Sequence, residues 1–448
     1  MKKTWRWPLT GFLLGGLVGA TFLTVNVVGA SRPNAPAASA GSFGEILHTP
    51  PLLARAGKAV ELSFGVVCGI VGDRPGGRCE PRGSVFLRPT GAREFRKVPL
   101  EREAGGLLSA AVPAGDGRSG FDYYAAIDNG RGQSATLPEA GAAAPQHVWP
   151  LEKWTTVDVG PPRFGVSRAP SAVVARFGWG RGERAIGLDS GREQSRIGPS
   201  AFDIAPDGSV VVLDQVNHRL VRVRRGAKRG QVPIAFSGGE GDLAVGGDGT
   251  IYVLEVSGTP MVRSFSPAGA LLSAGPLAEH VADMVRAGPS GALVHGYPSE
   301  MWFPTGGRPP LSAEQQLRAA QPARNVGDGL GVVVHASPAE VELALVRGDR
   351  VVRAWVLHGT ASFGEVQLAE PYGDGLVAVV RLWDEHHAEF RVLRLGVSGI
   401  TSSFTVAPGE WAETASLSRF RLHGDTLYQL RSGPSGAAIV KYEIGGTR

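Results

Sequence analysis

Four positions beyond residue 200 pair an apolar triplet with a side chain that can ligate a cation or move a proton. Val211-Val212-Leu213 ends in Asp214, Tyr252-Val253-Leu254 in Glu255, Ala292-Leu293-Val294 in His295, and Val332-Val333-Val334 in His335. Carboxylate oxygens and imidazole nitrogens are donors that divalent cations accept. If the four ends converge, they predict a polar ring able to bind a metal or a polar ligand. A second cluster, Asp384-Glu385-His386-His387, has the same residue types. Neighbouring residues on a strand point to opposite faces, so two adjacent histidines rarely share one ion. A solvated hairpin turn is the expectation there. The two cysteines, Cys68 and Cys79, flank the turn-rich stretch from Gly72 to Gly77. One even pair across a turn in an exported chain predicts a disulfide, and two thiols do not complete a structural zinc site. No G-x-S-x-G elbow, H-E-x-x-H helix, Walker loop or dinucleotide fingerprint stands in a suitable context. The glycine-rich stretches 178–182 and 238–241 precede strands, so they offer no helix N-terminus to a phosphate.

The elements that would carry the four polar positions repeat. Two further triplets, Ala378-Val379-Val380 and Thr426-Leu427-Tyr428, extend the series, and successive triplets lie 41, 40, 40, 46 and 48 residues apart. Turn residues precede them: Asp207-Gly208, Asp248-Gly249, Ser290-Gly291, Asp328-Gly329, Asp374-Gly375 and Gly424-Asp425. Asp-Gly suits a tight turn between antiparallel strands because glycine accepts positive φ. A period near 40 with strand patterning means propeller blades. The expectation is a six-bladed β-propeller over residues 171–448. Its last blade lacks a fourth strand, and strand 171–177 has no blade of its own, so pairing the two would close the ring and remove exposed ladder edges. Ser312 followed by good helix formers predicts a short helix over 312–320.

Ahead of the repeats, residues 47–148 alternate polar and apolar over short runs such as Val60–Phe64, Ser84–Arg88 and Phe121–Ile127, with turn signals between them. This predicts a small β-sandwich. Residues 149–170 hold Pro150, Pro161, Pro162 and Pro170 and are expected to form a linker with room for one strand. Trp149, Trp154, Trp179, Trp302 and Trp383 fall at linker or loop positions, where interface packing is their expected use. Residues 1–46 begin with Lys2, Lys3 and Arg6, then an uncharged apolar run from Leu9 to Ala30 and the small-residue signals Val28-Gly29-Ala30 and Ala38-Ser39-Ala40. That order predicts export, either through a cleaved signal peptide or with the run retained as a single-span membrane anchor. A flexible tether follows.

Two resemblances sharpen this reading. The stretch from Gly198 to Val223, with Pro199-Ser200 at entry, Asp207-Gly208 at the turn, Asp214 at the strand end and then Asn217-His218-Arg219, resembles an NHL repeat. Val174-Ala175-Arg176-Phe177-Gly178-Trp179-Gly180 resembles the outer strand and exit of a preceding blade. The stretch from Gly120 to Gly130 resembles a late strand and turn of bacterial Ig-like or fibronectin-III-like modules, without the antibody-type Cys…Trp…Cys core. The first resemblance implies that Asp214 bonds to Asn217, His218 or Arg219 within its own blade. It also implies a possible metal-bearing axis, as in NHL-type lyases that cleave α-hydroxyglycine peptides. The second implies a spacer or an adhesive surface.

Composition sets the remaining bounds. The chain has 448 residues, 64 glycines, 32 prolines, 43% hydrophobic residues and a net charge of +5, a mix that suits short strands and tight turns and is too apolar for a disordered chain. The densest basic cluster, Arg222, Arg224, Arg225, Lys228 and Arg229, has no interleaved aromatics, so no nucleic-acid partner is expected. The expected protein is all-β: a small β-sandwich followed by a six-bladed β-propeller. It is expected outside the cytoplasm, secreted or membrane-anchored, as a non-catalytic binding or scaffold protein with a protein, peptide or glycan partner at the cell surface and no cofactor. The alternative is a metal-dependent propeller lyase or hydrolase holding a divalent cation.

Overall fold

Strict alternation makes the strand Phe121–Asp128: Phe121, Tyr123, Ala125 and Ile127 are buried, and the residues between them are not. A strand with one apolar face must cover it with a second layer. The computed structural model supplies that layer. One sheet orders its strands as Phe43–Leu47, Val60–Cys68, Leu108–Val112 and Glu101–Arg102. The facing sheet runs Leu53–Arg55, Gln146–Leu151, Phe121–Asp128, Arg82–Pro89 and Arg96–Pro99, with Ser134–Leu137 added beside Phe121–Asp128. Leu62, Phe64, Leu108 and Val112 of the first sheet share a core with Val85, Leu87, Tyr123 and Ile127 of the second. Each such side chain contributes about 1.5–3 kcal/mol on burial.

The structure describes residues 43–445, apart from 69, 72–73, 76–79, 104–105, 131–132, 192–194, 225–229, 236–240, 258, 279–280, 298 and 413–417. The N-terminal apolar run, Cys79 and the side chain of Cys68 lie outside the described residues, and with them the expected export segment and disulfide. Among the described residues no helix is long and apolar enough to cross a membrane.

Beyond residue 171 the described residues form six consecutive antiparallel sheets. The first holds Ala201–Ile204, Val210–Asp214, Arg219–Val223 and Gly230–Pro233. The second holds Gly241–Val245, Ile251–Glu255, Met261–Phe265 and Leu271–Pro276. The third has three strands, Ala282–Gly288, Gly291–Gly296 and Met301–Gly306. After it comes the helix Ala313–Ala319, entered through a capping box between Ser312 and Gln315. The fourth sheet contains Arg324–Gly327, Leu330–Ala336, Glu340–Arg347 and Arg350–His358, and the fifth Ser362–Tyr372, Gly375–Trp383, Ala388–Gly396 and Gly399–Val406. The sixth is Phe420–His423, Thr426–Gly433 and Gly436–Glu443.

These sheets form a ring. The first strands of sheets one, two and three touch in succession, sheet three meets sheet four, sheet four meets sheet five, and the first strand of sheet six touches those of sheets five and one. Strands near the middle of the ring are covered on both faces, which is why Val210–Asp214 is buried at every residue and reads as a continuous apolar run. The strand Ala172–Trp179 runs antiparallel to Gly436–Glu443 and gives sheet six its fourth strand.

The stretch 149–170, expected to form a linker, is built into the fold instead. Trp149, Pro150 and Leu151 pair in parallel with Leu53–Arg55, and Thr155–Asp158 pairs in parallel with Arg350–His358 of sheet four. Arg391 of sheet five then binds the carbonyls of Val159 and Pro161, at 2.6 and 3.0 Å. The N-terminal module is fixed to sheet four by a shared core in which Leu52, Trp149 and Leu151 meet Val333, Ala344 and Val356. Trp149 Nε1 donates to the Gly348 carbonyl at 2.9 Å, and Arg55 binds Glu342 and Glu340 at 2.8 and 2.5 Å.

Candidate functional site

The first strands of the ring carry charges where apolar residues would be expected. Asp242, Arg286, Arg324 and Arg421 are buried on first strands and Asp203 is partly buried on another, with Glu370 beside them on the first strand of sheet five. Buried charges persist when paired and hydrogen-bonded. Here Arg286 Nη1 lies 3.1 Å from Asp242 Oδ2, Arg324 Nη2 2.9 Å from Glu370 Oε2, and Arg421 3.5 Å from Asp203 and 3.4 Å from Asp242. The carboxylates also stitch sheets together. Asp203 Oδ2 accepts the Val245 N–H of sheet two at 2.8 Å, and Asp242 Oδ2 accepts the Val285 N–H of sheet three at 2.8 Å. The Ser418 hydroxyl donates to Asp242 Oδ1. Burial raises the Asp203 pKa against the pull of Arg421. Burial and the nearby Arg421 push Arg286 down to about 10, with Asp242 opposing them. Leaving one partner of such a pair unmatched costs about 3–5 kcal/mol.

Beside this network lies a cavity of about 220 Å³ bounded by sheets three, four and five, with Thr49 and Leu52 of the N-terminal module on its wall. His295, Glu300, Trp302, His335 and Gln367 line it. His295 sits at the end of a second strand, with Nδ1 2.8 Å from Asp283 Oδ1 and Nε2 3.4 Å from Glu300 Oε2. Burial works against a proton on this ring, but Asp283 and then Glu300 outweigh it and hold the pKa up at about 10. Burial likewise opposes a proton on His335, and Glu342, 3.4 Å away, overcomes it and raises the pKa. Glu342 also accepts from Arg55, so the cavity wall and the module share one ion network. Glu300 holds φ at 54°, a left-handed conformation that a non-glycine residue keeps only where its surroundings demand it. Gln367 is buried, gives its Nε2 to Glu365 at 3.1 Å, and its Oε1 has no hydrogen-bond partner in the protein.

The four strand-end residues therefore divide. His295 and His335 line one cavity. Asp214 is locked inside its own sheet, accepting from Arg219 Nε and Asn217 Nδ2, each at 2.8 Å, and from the Gly187 N–H at 2.9 Å. Glu255 pairs with Arg263 on the next strand of its sheet. The expected four-residue ring does not assemble, because the second strand of each sheet stands one strand away from the axis. Among the described residues no group of three His, Cys, Asp or Glu side chains is disposed to hold a metal ion. The cluster at 384–387 is a turn: Asp384 Oδ1 accepts the N–H groups of His386 and His387, each at 2.8 Å, and Phe164 stacks on His387.

The residues nearest the axis escaped the sequence reading. Their signal was a lone charge inside an apolar strand, as in Phe202-Asp203-Ile204, Val285-Arg286-Ala287 and Phe420-Arg421-Leu422. A larger groove of about 550 Å³ follows the flank between sheets two and three. Glycines and small hydroxyls line much of it, including Gly246, Gly288 and Ser290, and the buried Thr250, Ser264, Thr305 and Gln316 stand among them.

No known family profile matches this sequence, and no curated protein matches it. Among solved structures, the hydrazine synthase of Kuenenia stuttgartiensis is similar at 12% identity, over 52% of this chain and 76% of that one, with a TM-score of 0.35. The PQQ-bound aldose sugar dehydrogenase of Streptomyces coelicolor aligns at 14% identity over 63% of this chain and 99% of its own, with a TM-score of 0.33. The Dos1 propeller aligns at 10% identity over 56% of this chain and 80% of its own, at 0.29. The chain is all-β and its structural neighbours include β-propeller proteins; at these identities and scores the likeness extends to no activity.

Proposed function

We propose that this is a non-catalytic binding protein outside the cytoplasm, secreted or held by its N-terminal apolar segment. In this reading the six sheets are the blades of a propeller of NHL-like repeats, the N-terminal module is an Ig-like sandwich closed by a Cys68–Cys79 disulfide, and no cofactor is needed. One observation carries the binding reading: the cavity between sheets three, four and five is walled by both bodies and lined by polar groups that already hold partners. His295 is held between the carboxylates of Asp283 and Glu300, which raise its pKa to about 10 against the effect of burial and favour its charged form. A protein, peptide or glycan partner would present one small group to a space of this size. The test is thermal unfolding of the purified full chain against a broad set of small metabolites. A stabilising ligand is expected whose effect disappears in Trp302→Ala. Complete absence of a stabilising compound would overturn the reading.

A further inference from the structure

We propose that the cavity between sheets three, four and five takes a primary ammonium group, offered by a lysine side chain or chain terminus of a partner or by a free amine. The inference deepens the binding reading and rests on it.

Charge carries the argument. His295 stands between two carboxylates, with Nδ1 2.8 Å from Asp283 Oδ1 and Nε2 3.4 Å from Glu300 Oε2. One imidazole does not balance both, whether or not it carries its second proton. The other ions that reach the wall balance among the described residues. Arg324 answers Glu370, Arg381 answers Glu365, and Arg55 with His335 answers Glu340 with Glu342. Arg286 and Arg421 likewise answer Asp242 and Asp203. The surplus is therefore local and negative, and it lies at the His295 end of the wall. A cation placed there regains in ion pairing what it gives up in hydration, whereas an anion does not.

The surplus is also reachable. Asp283 and Glu300 line the cavity, and their side chains stay 30% and 24% exposed. Each spends one oxygen on His295. Asp283 Oδ2 and Glu300 Oε1 have no hydrogen-bond or ion-pair partner among the described residues. At the same end of sheet three stand Val281 and Tyr297, 51% and 50% exposed and joined by the Tyr297 N–H to the Val281 carbonyl at 2.9 Å. An exposed apolar pair close to unspent carboxylates suits a cation carried on a hydrocarbon stem.

Chemistry selects among cations. An ammonium has three N–H donors, its bonds to carboxylates are of the strong, charge-assisted kind, and water can take any donor the protein does not. A bare metal ion asks for more ligands, and among the described residues no group of three His, Cys, Asp or Glu side chains is disposed to hold one. A quaternary ammonium is recognised through aromatic faces. Trp302, the indole on this wall, already has Arg324 5.9 Å from its ring and His295 4.9 Å away.

The test is calorimetric titration of the full chain in mild detergent at neutral pH. The small probes are n-butylamine, tetramethylammonium, potassium, acetate and D-glucose. Two peptides accompany them, one with a single internal lysine and a blocked N-terminus, the other with a free N-terminus and no lysine. n-Butylamine is expected to bind, more weakly as salt rises, and the other small probes to stay silent. Binding of a peptide supports the proposal and names the source of the ammonium, and n-butylamine binding alone assigns the site to a free amine. Glu300→Gln should weaken n-butylamine about tenfold, because it removes charge-assisted bonding and keeps the side chain's shape. Asp283→Asn should do the same, and serves if Glu300→Gln fails to fold. If these acids only support the wall, the variants lower the melting temperature and leave n-butylamine affinity unchanged, which overturns the site. Binding of another small probe with n-butylamine silent overturns the ligand class and leaves the binding reading standing. Silence from every probe overturns the ammonium proposal alone, since the binding reading answers to the wider set of metabolites.

Discussion

His295 is held between two carboxylates in a buried wall, and that arrangement has a pH signature. The ring keeps its proton to about pH 10 in the folded chain, against 6.5 as the ordinary value. Its contribution to stability is therefore complete below about pH 6.5 and is lost as the pH rises through about 10. Melting temperature should fall across that window in the native chain, and His295→Gln should flatten the fall. An identical slope in the variant would contradict the pairing with Asp283 and Glu300. The sequence exposed His295 and His335 as members of a repeating set but concealed their partners. Glu300 follows His295 closely in sequence, whereas Glu342 reaches His335 from the facing strand. The axial acids and arginines were harder still to find, because each looks like a defect in an apolar strand until its partner arrives from another sheet. Asp242 and Arg421 are 179 residues apart.

At the scale of elements, the second strands were the most legible. Val210–Asp214 is an unbroken apolar run, and the turns before it and before Ile251–Glu255 place glycines at φ 74° and 82°, where a side chain would be strained. The helix expected at 312–320 spans Ala313–Ala319, with Ser312 as the cap that the sequence predicted. The stretch 149–170, expected to carry one strand at most, holds Thr155–Asp158 and the end of Gln146–Leu151. Pro150 sits in a strand whose parallel partner is only the three residues Leu53–Arg55, and prolines are tolerated where the ladder is short or at an edge. Ala172–Trp179 was legible as a strand without a sheet, and its partner is the last strand of the described chain. Chains starting at residues 165 and 180 both lack the N-terminal module and Thr155–Asp158, so their difference isolates this one strand. The shorter chain should melt several degrees lower and aggregate more readily, since it exposes the edge of Gly436–Glu443. Equal behaviour would mean that the pairing contributes nothing to ring stability.

For the whole molecule, the two bodies share a core rather than a tether. Trp149 is 5% exposed, packs among Leu52, Val333, Ala344 and Val356, and spends its N–H on the Gly348 carbonyl. Trp149→Ala should cost about 3–5 kcal/mol, and urea unfolding should show the module and ring separating into two transitions where the native chain has one. Composition and period implied two bodies, and the expected interface packing of the linker tryptophans anticipated the contact at Trp149 without naming its partners. The contact depends on a few residues whose apolar character is ordinary in either body and becomes meaningful only when both are folded.

The closing strand also dictates an order of events during synthesis. Ala172–Trp179 leaves the ribosome about 260 residues before its partner Gly436–Glu443. At ~5–20 residues per second that is a wait of roughly 10–50 s. The N-terminal module has all its strands by then and can fold, while Ala172–Trp179 has only the short parallel pairing with Ala185–Ile186 until Gly436–Glu443 emerges. The newborn protein thus carries an unpaired edge through most of its synthesis. The last eight-residue strand, Gly436–Glu443, retires that edge and completes the ring in one step.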